Sequence, residues 1–250
     1  MPELIADLLE TEGLVWLIAA FSIAGLIRGF TGFGTAMIVV PIGATFLPMP
    51  HIIFILTISG FGTALALVPK AWGKANKREV LNIGLAAVIA MPLGVFLLTV
   101  LEQNTLRWGL CIVISVVIAA LLGGWRYNGA LGPIQITGIG ASAGLVGGAT
   151  GLTGPIVVLF YLAGRHATAT VRANSILFLA LMDVAIAANL TISDLVEWDL
   201  IYLAILVTIP YMAISMVGQA LFQPCYEHFY RSTAYTIIAL AALSSLPIFD

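Results

Sequence analysis

Long apolar runs follow one another along almost the whole chain, and the charged residues lie in short stretches between them. Charged side chains make up 9% of the 250 residues, against roughly 25% in soluble proteins. So much apolar surface stays out of water only in a bilayer, where a helix satisfies its own backbone hydrogen bonds. The sequence therefore predicts an all-α integral membrane protein, with residues 1–250 forming a single membrane domain.

Polar breaks divide the chain into ten hydrophobic segments. A helix needs about 20 residues to cross the hydrocarbon core, and the second, sixth and seventh segments are shorter than that. We therefore interpret residues 13–47 and 133–163 as short helical hairpins, which either re-enter the membrane or cross it twice where the bilayer is thinned. The ten predicted segments are 13–29, 33–47, 52–69, 80–101, 105–124, 133–148, 152–163, 171–190, 199–222 and 232–248.

The loop at residues 70–78 is the most basic stretch of the chain. Cytoplasmic loops of membrane proteins are enriched in lysine and arginine, so we expect this loop in the cytoplasm. Counting the segments from it places the N-terminus, the C-terminus and the acidic loop 191–199 outside. The basic residues of the loop are Lys70, Lys74, Lys77 and Arg78.

The two halves of the chain share a glycine-rich pattern at an offset of 119 residues. GLIRGFTGFGTAMIVV (25–40) aligns with GLVGGATGLTGPIVVL (144–159), and Pro92 then meets Pro210 within one residue. The pattern predicts an internal repeat that covers most of each half.

We assign the first repeat to residues 13–124 and the second to residues 133–248. Each holds five segments, an odd number, so the second copy enters the membrane from the opposite side. The opposite charges of the loops 70–78 and 191–199, which the alignment superimposes, agree with that inversion. Inverted repeats of this kind are typical of secondary transporters, which bind substrate near the membrane midplane between the copies.

Each predicted hairpin turns at an elbow rich in glycine and threonine, at residues 28–35 and 147–154. Glycine allows a close approach of backbone to ligand, and the helix that follows each elbow would present its N-terminal N–H groups to an anion. Two opposed elbows are thus expected to enclose one small anion. The alternative is that the glycines serve only close helix packing. The predicted binding residues are Gly29, Thr31, Gly32, Gly34, Thr35, Gly148, Thr150, Gly151, Thr153, Gly154 and, just after the second hairpin, Asn174.

Arg28 lies in the first elbow, whereas the second has Gly147 at the matching position. A charged side chain at membrane depth is costly and is usually kept for a partner or a ligand. A guanidinium can hold an oxyanion through two parallel hydrogen bonds. We therefore predict that Arg28 binds the anion; the alternative is an anchor at the inner membrane surface.

Asp183 is the only acidic residue deep inside a clear span, and it is our candidate for a proton-coupling group. Alternatively, it is protonated and hydrogen-bonds a neighbouring helix. Arg172, eleven residues earlier, lies about 16 Å away along a helix that rises about 1.5 Å per residue. The two side chains are therefore not expected to pair.

Other classes of function find little support in the sequence. The chain has no nucleotide-binding glycine loop, and Cys111 and Cys225 lack the spacing of metal ligands. Gly140-Ala-Ser142-Ala-Gly144 matches a serine-nucleophile pattern, but no histidine lies at the depth of Ser142, so an intramembrane enzyme is only a remote alternative. We expect no catalytic residues, no metal, no cofactor and no nucleic acid; the partners expected are a small anion and the lipid bilayer, and homo-oligomerisation is left open.

The motifs TGFGTAMIVVPIGATFLP (31–48), GLVGGATGLTGPIVVLFYLAG (144–164) and ATATVRAN (167–174) resemble those of the sulfite exporter TauE/SafE family, also called the toluene sulfonate uptake permeases. The resemblance extends over nearly the whole chain. It implies an alternating-access carrier of sulfite, sulfoacetate or other organosulfonates in a bacterial inner membrane, with a passive anion channel as the alternative. The chain departs from the three-glycine runs of many members at residues 34–36 and 153–155.

Overall fold

The computed structural model describes residues 13–123, 132–163, 167–221 and Thr236. The regular structure of these residues is helical. The last predicted segment, 232–248, lies outside them except for Thr236. The helices are α1 Leu14–Thr31, α2 Thr35–Gly43, α3 Met49–Ala71, α4 Lys77–Val100, α5 Gln103–Leu122, α6 Pro133–Thr150, α7 Gly154–Ala163, α8 Thr168–Ile192 and α9 Leu200–Ala220.

Each of the first nine predicted segments coincides with one helix, with ends that agree within four residues. Five of these helices, α1, α3, α4, α8 and α9, are long and apolar enough to cross a membrane. The helices α2 and α7 hold 9 and 10 residues, which at about 1.5 Å per residue reach roughly half-way through the hydrocarbon core. The second arm of each hairpin is therefore too short to span a hydrocarbon core of ordinary thickness.

The helix α4 exposes a stripe of large apolar side chains along one face. Leu81, Leu85, Ile89, Leu93 and Phe96 recur every three or four residues and are all more than half exposed. A stripe of this kind is expected where a helix faces lipid rather than water. The fold is thus that of an all-helical membrane protein, as the sequence predicted.

The helix α1 lies directly against α9. A Cβ atom at Gly25 would fall 2.6 Å from the Tyr211 carbonyl oxygen, and one at Gly29 would fall on the carbonyl oxygen of Ser215. On the other side of this contact, Gly218 packs in the same way against the backbone of α1. Small residues thus bring the two backbones into direct contact.

The helix α6 lies against α4 in the same manner. A Cβ atom at Gly144 would fall on the carbonyl oxygen of Ala87, and one at Gly148 would fall 2.5 Å from that of Met91. Gly94 of α4 packs in return against the backbone of α6. The two closest helix pairs of the described chain therefore use glycine in equivalent ways.

The helices α3 and α8 pack side by side and run in opposite directions. The turn after α3 contacts the beginning of α8, because the Asn76 N–H donates to Asn174 Oδ1 at 2.7 Å. At the opposite end of α3, His51 Nε2 lies 2.9 Å from a Glu197 carboxylate oxygen. The basic loop and the acidic loop therefore lie at opposite ends of the bundle.

We expect Gly144→Ala to destabilise the fold, because the added methyl group must displace the backbone of α4. Overpacking of this kind costs about 1–3 kcal/mol. Gly138→Ala is the matched control: it lies in the same helix, has nothing within 4 Å of an added Cβ, and gains up to about 1 kcal/mol of helix propensity. Thermal unfolding of the two variants in detergent measures the difference, and equal melting temperatures would contradict the packing role of Gly144.

Candidate functional site

The first elbow is a tight turn between α1 and α2. Gly32 ends α1 with φ 86° and donates its N–H to the Arg28 carbonyl, and Gly34 precedes α2 with φ 99°. These left-handed conformations favour glycine. The hydroxyl of Thr31 donates to the α1 backbone one turn earlier, at 2.8 Å, and accepts the Phe33 N–H at 3.3 Å. Hydrogen bonds of Thr31 and Gly32 to nearby residues therefore hold the conformation of the turn.

The second elbow, between α6 and α7, repeats the first part of this turn, but Thr153 takes the position of Gly34 and is not left-handed. Gly151 ends α6 with φ 78° and donates to the Gly147 carbonyl. The Thr150 hydroxyl donates to the backbone one turn earlier at 2.7 Å and accepts the Leu152 N–H at 3.3 Å. The halves differ at Gly147, where the Thr153 methyl group fills the position that a side chain would take. There is accordingly no room for a second arginine opposite Arg28.

The two elbows face one another across a small cavity. Its volume is about 20 Å³, which is room for about one water molecule. It lies beside Leu179 and Asp183, near the middle of the 25-residue helix α8. The residues that line it are Arg28, Gly34, Thr35, Ala36, Met37 and Leu56 from the first half, and Gly151, Thr153, Gly154, Pro155, Leu179 and Asp183 from the second. We call this space the central cavity.

Arg28 and Asp183 form an ion pair in the wall of the central cavity. Arg28 Nη2 lies 3.6 Å from Asp183 Oδ2, and the two side chains are 6% and 12% exposed. That distance is longer than a hydrogen bond, and within the described part of the chain neither Arg28 Nε nor Asp183 Oδ2 has a hydrogen-bond partner. The pair thus balances two buried charges while leaving hydrogen-bonding capacity unused.

Gly60 of α3 provides the space for this carboxylate. A Cβ atom at Gly60 would fall on Asp183. Two features therefore determine the position of Asp183: the charge of Arg28 on α1 attracts it, and the lack of a side chain at Gly60 on α3 leaves space for it.

Tyr211 of α9 completes the neighbourhood of the first elbow. Its hydroxyl lies 2.7 Å from Thr35 Oγ1, its side chain is fully buried, and its ring packs edge-on against Phe21 of α1 at 5.6 Å between centroids. The sequence interpretation missed this residue, because a tyrosine inside an apolar run carries no signal of its own. The only indication was the small-residue spacing of α1, which predicts a close helix partner.

The structure divides the predicted site residues into three groups. Those that line the central cavity are Arg28, Gly34, Thr35, Gly151, Thr153, Gly154 and Asp183. Those that shape the elbow turns are Thr31, Gly32 and Thr150. Those that pack helix against helix are Gly29 and Gly148.

Asn174 does not line the central cavity. It is fully buried, and its Oδ1 accepts the Asn76 N–H that links α8 to the turn after α3. The structure therefore places Asn174 at the end of α8 that lies beside the basic loop, and gives its carbonyl oxygen a partner within the protein.

The profile of the family described as Sulfite exporter TauE/SafE matches residues 17–245, a range that includes both elbows. A search of curated proteins found no match, and neither did a search of solved structures. The family is one of membrane transporters, in agreement with the five apolar helices of spanning length. The chain is therefore a multi-pass membrane protein that belongs to the sulfite exporter TauE/SafE family.

Proposed function

We propose that the protein is a secondary transporter that carries a small sulfur-containing anion, either sulfite or an organosulfonate such as sulfoacetate, across the bacterial inner membrane. One observation carries the proposal: a buried guanidinium stands in a cavity at mid-depth to which both halves contribute an elbow. Arginine at such depth is typical of a ligand or ion pathway. Family membership supports sulfur oxyanions as the substrate class.

The proposed mechanism is alternating access between inverted repeats at residues 13–124 and 133–248. The exchange of partners supports it, since α1 of the first half lies on α9 of the second, and α6 of the second lies on α4 of the first. A pseudo-twofold axis in the membrane plane produces such an exchange. The antiparallel packing of α3 on α8 is the arrangement expected on that axis.

The glycine contacts favour a different alignment of α4 with α9 from the one that the prolines predict. Gly94 faces the carbonyl of Leu145, and Gly218 faces that of Leu26. Leu26 and Leu145 are equivalent at the offset of 119. Gly94 and Gly218 are thus the equivalent pair, 124 residues apart, rather than Pro92 with Pro210.

The structure corresponds in this mechanism to a closed state. The central cavity has room for about one water molecule, so the two elbows must move apart before an anion fits between them. Arg28 Nε and the other guanidinium N–H groups would then bind the oxyanion, with Thr35 and Thr153 nearby as hydroxyl donors.

Asp183 gives the proposed mechanism a coupling step. In the closed state Asp183 is the counter-ion of Arg28. An anion that bound Arg28 would bring a second negative charge into a site with a single cation, and an uncompensated buried charge is strongly unfavourable. Protonation of Asp183 removes this repulsion, so the anion and a proton are carried together. Tyr211 of α9 is a further titratable group close to the pair.

The proposed orientation keeps the basic loop 70–78 in the cytoplasm and both termini outside. Lys70 and Arg172 line one cavity at the same end of the bundle, and Glu197 lies at the opposite end. This separation of charge follows the positive-inside rule.

Transport also agrees better than catalysis with the position of Ser142. This residue is exposed on α6, and His51 lies at an end of α3 in contact with Glu197. Ser142 and His51, the histidine that lies in the described part of the chain, are therefore not arranged as a nucleophile and its base.

Replacing Arg28 tests the proposed binding role. Hydrogen bonds to a charged group contribute about 1.5–3 kcal/mol, so we expect Arg28→Gln to weaken sulfite binding by about 10–100-fold and Arg28→Lys to recover only part of it. Calorimetry on the purified protein with sulfite, sulfoacetate, taurine, isethionate, sulfate and acetate measures both affinity and selectivity. The matched control is Arg78→Gln, at an exposed position of the basic loop. Full binding by Arg28→Lys would indicate an anchor, and binding of acetate without any sulfonate would refute the substrate class.

Asp183→Asn separates transport from its coupling. The amide keeps the shape of the side chain but cannot release a proton, so we expect exchange of labelled sulfite to persist and accumulation driven by a pH gradient to disappear. Proteoliposomes with and without an imposed gradient measure the two activities. If the variant accumulates sulfite like the wild type, proton coupling through Asp183 is wrong.

Counterflow distinguishes a carrier from a passive anion channel. An alternating-access carrier returns faster when loaded, so unlabelled sulfite inside the vesicles should accelerate the entry of labelled sulfite. A simple pore shows no such acceleration, and that result would favour the channel.

A further inference from the structure

A second, larger cavity lies at the end of the bundle that holds the basic loop. Its volume is about 240 Å³, and its polar lining consists of Lys70, Lys74, Arg172 and Gln219. We call these four residues and the space between them the basic vestibule. Alanines of α3, α8 and α9 form the rest of its wall, and their small side chains leave the space open.

The polar groups of the basic vestibule are donors. Lys70 Nζ donates to Gln219 Oε1 at 2.9 Å, so the acceptor of this amide is already used. Gln219 Nε2 is buried and has no hydrogen-bond partner among the residues that the structure describes. Among the residues that line the vestibule in the described chain, none is acidic. A site with two ammonium groups, a guanidinium and a spare amide donor suits an oxyanion.

Arg172 connects the basic vestibule with the first elbow. Its Nε donates to the Phe30 carbonyl at 3.0 Å, and its Nη2 donates to the Gly29 carbonyl. Its Cγ would lie 3.1 Å from a Cβ atom at Gly32. These residues belong to the last turn of α1 and its cap, the same turn that carries Arg28 into the central cavity. Only the end of α1 therefore separates Arg28 from the cations of the basic vestibule.

We propose that the basic vestibule is a second oxyanion site, occupied by the transported anion at the cytoplasmic mouth of its path. That the bound anion is the transported one rests on the proposed function. That the site prefers an oxyanion rests on the cations and amide donor of the vestibule itself. The cluster of cations raises the local concentration of anions and delivers them beside the turn that holds Arg28. A lipid phosphate headgroup has the same chemistry and is the other source that the test distinguishes.

The binding test uses Arg28→Gln as its background, because this change weakens the central site and leaves the vestibule intact. We expect Arg28→Gln to retain weak sulfite binding in calorimetry, and the triple variant Arg28→Gln/Lys70→Gln/Lys74→Gln to bind at least about tenfold more weakly still. Arg28→Gln/Arg78→Gln controls for the loss of a cytoplasmic charge outside the vestibule and should bind like Arg28→Gln. Equal affinities of the triple variant and its background would overturn the role of the vestibule in binding the transported anion.

A transport measurement gives the same proposal a kinetic readout. In vesicles of phosphatidylcholine, Lys70→Gln/Lys74→Gln should raise the KM for sulfite offered from the cytoplasmic face about tenfold and leave kcat within about twofold. From the opposite face, kcat/KM should fall by the same factor, through kcat at an unchanged KM, because a substitution cannot change the equilibrium of transport. An unchanged KM on the cytoplasmic face would contradict a delivery site.

Native mass spectrometry with phosphatidylglycerol distinguishes the lipid. If the wild type retains phosphatidylglycerol, Lys70→Gln/Lys74→Gln loses it and the sulfite results do not change, the vestibule binds a headgroup and the delivery role is overturned. If neither sulfite nor phosphatidylglycerol depends on the two lysines, the vestibule is not an oxyanion site. A third outcome is that the wild type binds phosphatidylglycerol but no sulfur anion, and that replacing the two lysines abolishes the lipid binding. This outcome would refute the proposed function and keep the oxyanion site.

Discussion

The buried pair of Arg28 and Asp183 is the constraint on which the rest of the site depends. Each charge is tolerable at mid-depth only because the other is present, and the 3.6 Å separation leaves both groups short of full hydrogen bonding. Two glycines support the arrangement: Gly60 leaves the space that the carboxylate occupies, and Gly34 allows the left-handed turn before α2. A balanced but unsatisfied pair of this kind is suited to accepting a third charged partner.

The sequence predicted the elements of this fold because the signals for them are local. An apolar run has a length, and a glycine elbow interrupts it, so the positions of nine helices and both turns followed from the sequence alone. Arg28 and Asp183 were each singled out by the cost of a charge in an apolar segment. Their pairing was not predicted, because the two residues are far apart in the chain and only Arg172, on the same helix as Asp183, was considered as a partner.

The different roles of the polar residues in the elbows could be assigned only from the structure. A threonine in an apolar helix often donates to its own backbone one turn earlier, and Thr31 and Thr150 do so. The sequence offered no means to distinguish them from Thr35 and Thr153, which line the central cavity. In the same way, Asn174 contacts the turn after α3 because of a helix pairing that local pattern does not reveal.

The exchange of helices between the halves has a mechanical consequence. The closest backbone contacts join α1 to α9 and α6 to α4, so they run between the proposed repeats rather than within them. A motion that pulled one repeat away from the other would break these contacts first. Two groups of helices can move without breaking these contacts. One consists of the first hairpin, α1 and α2, together with α9, and the other consists of the second hairpin, α6 and α7, together with α4. The proposed repeats and the units that would stay rigid in the proposed mechanism are then different sets of helices.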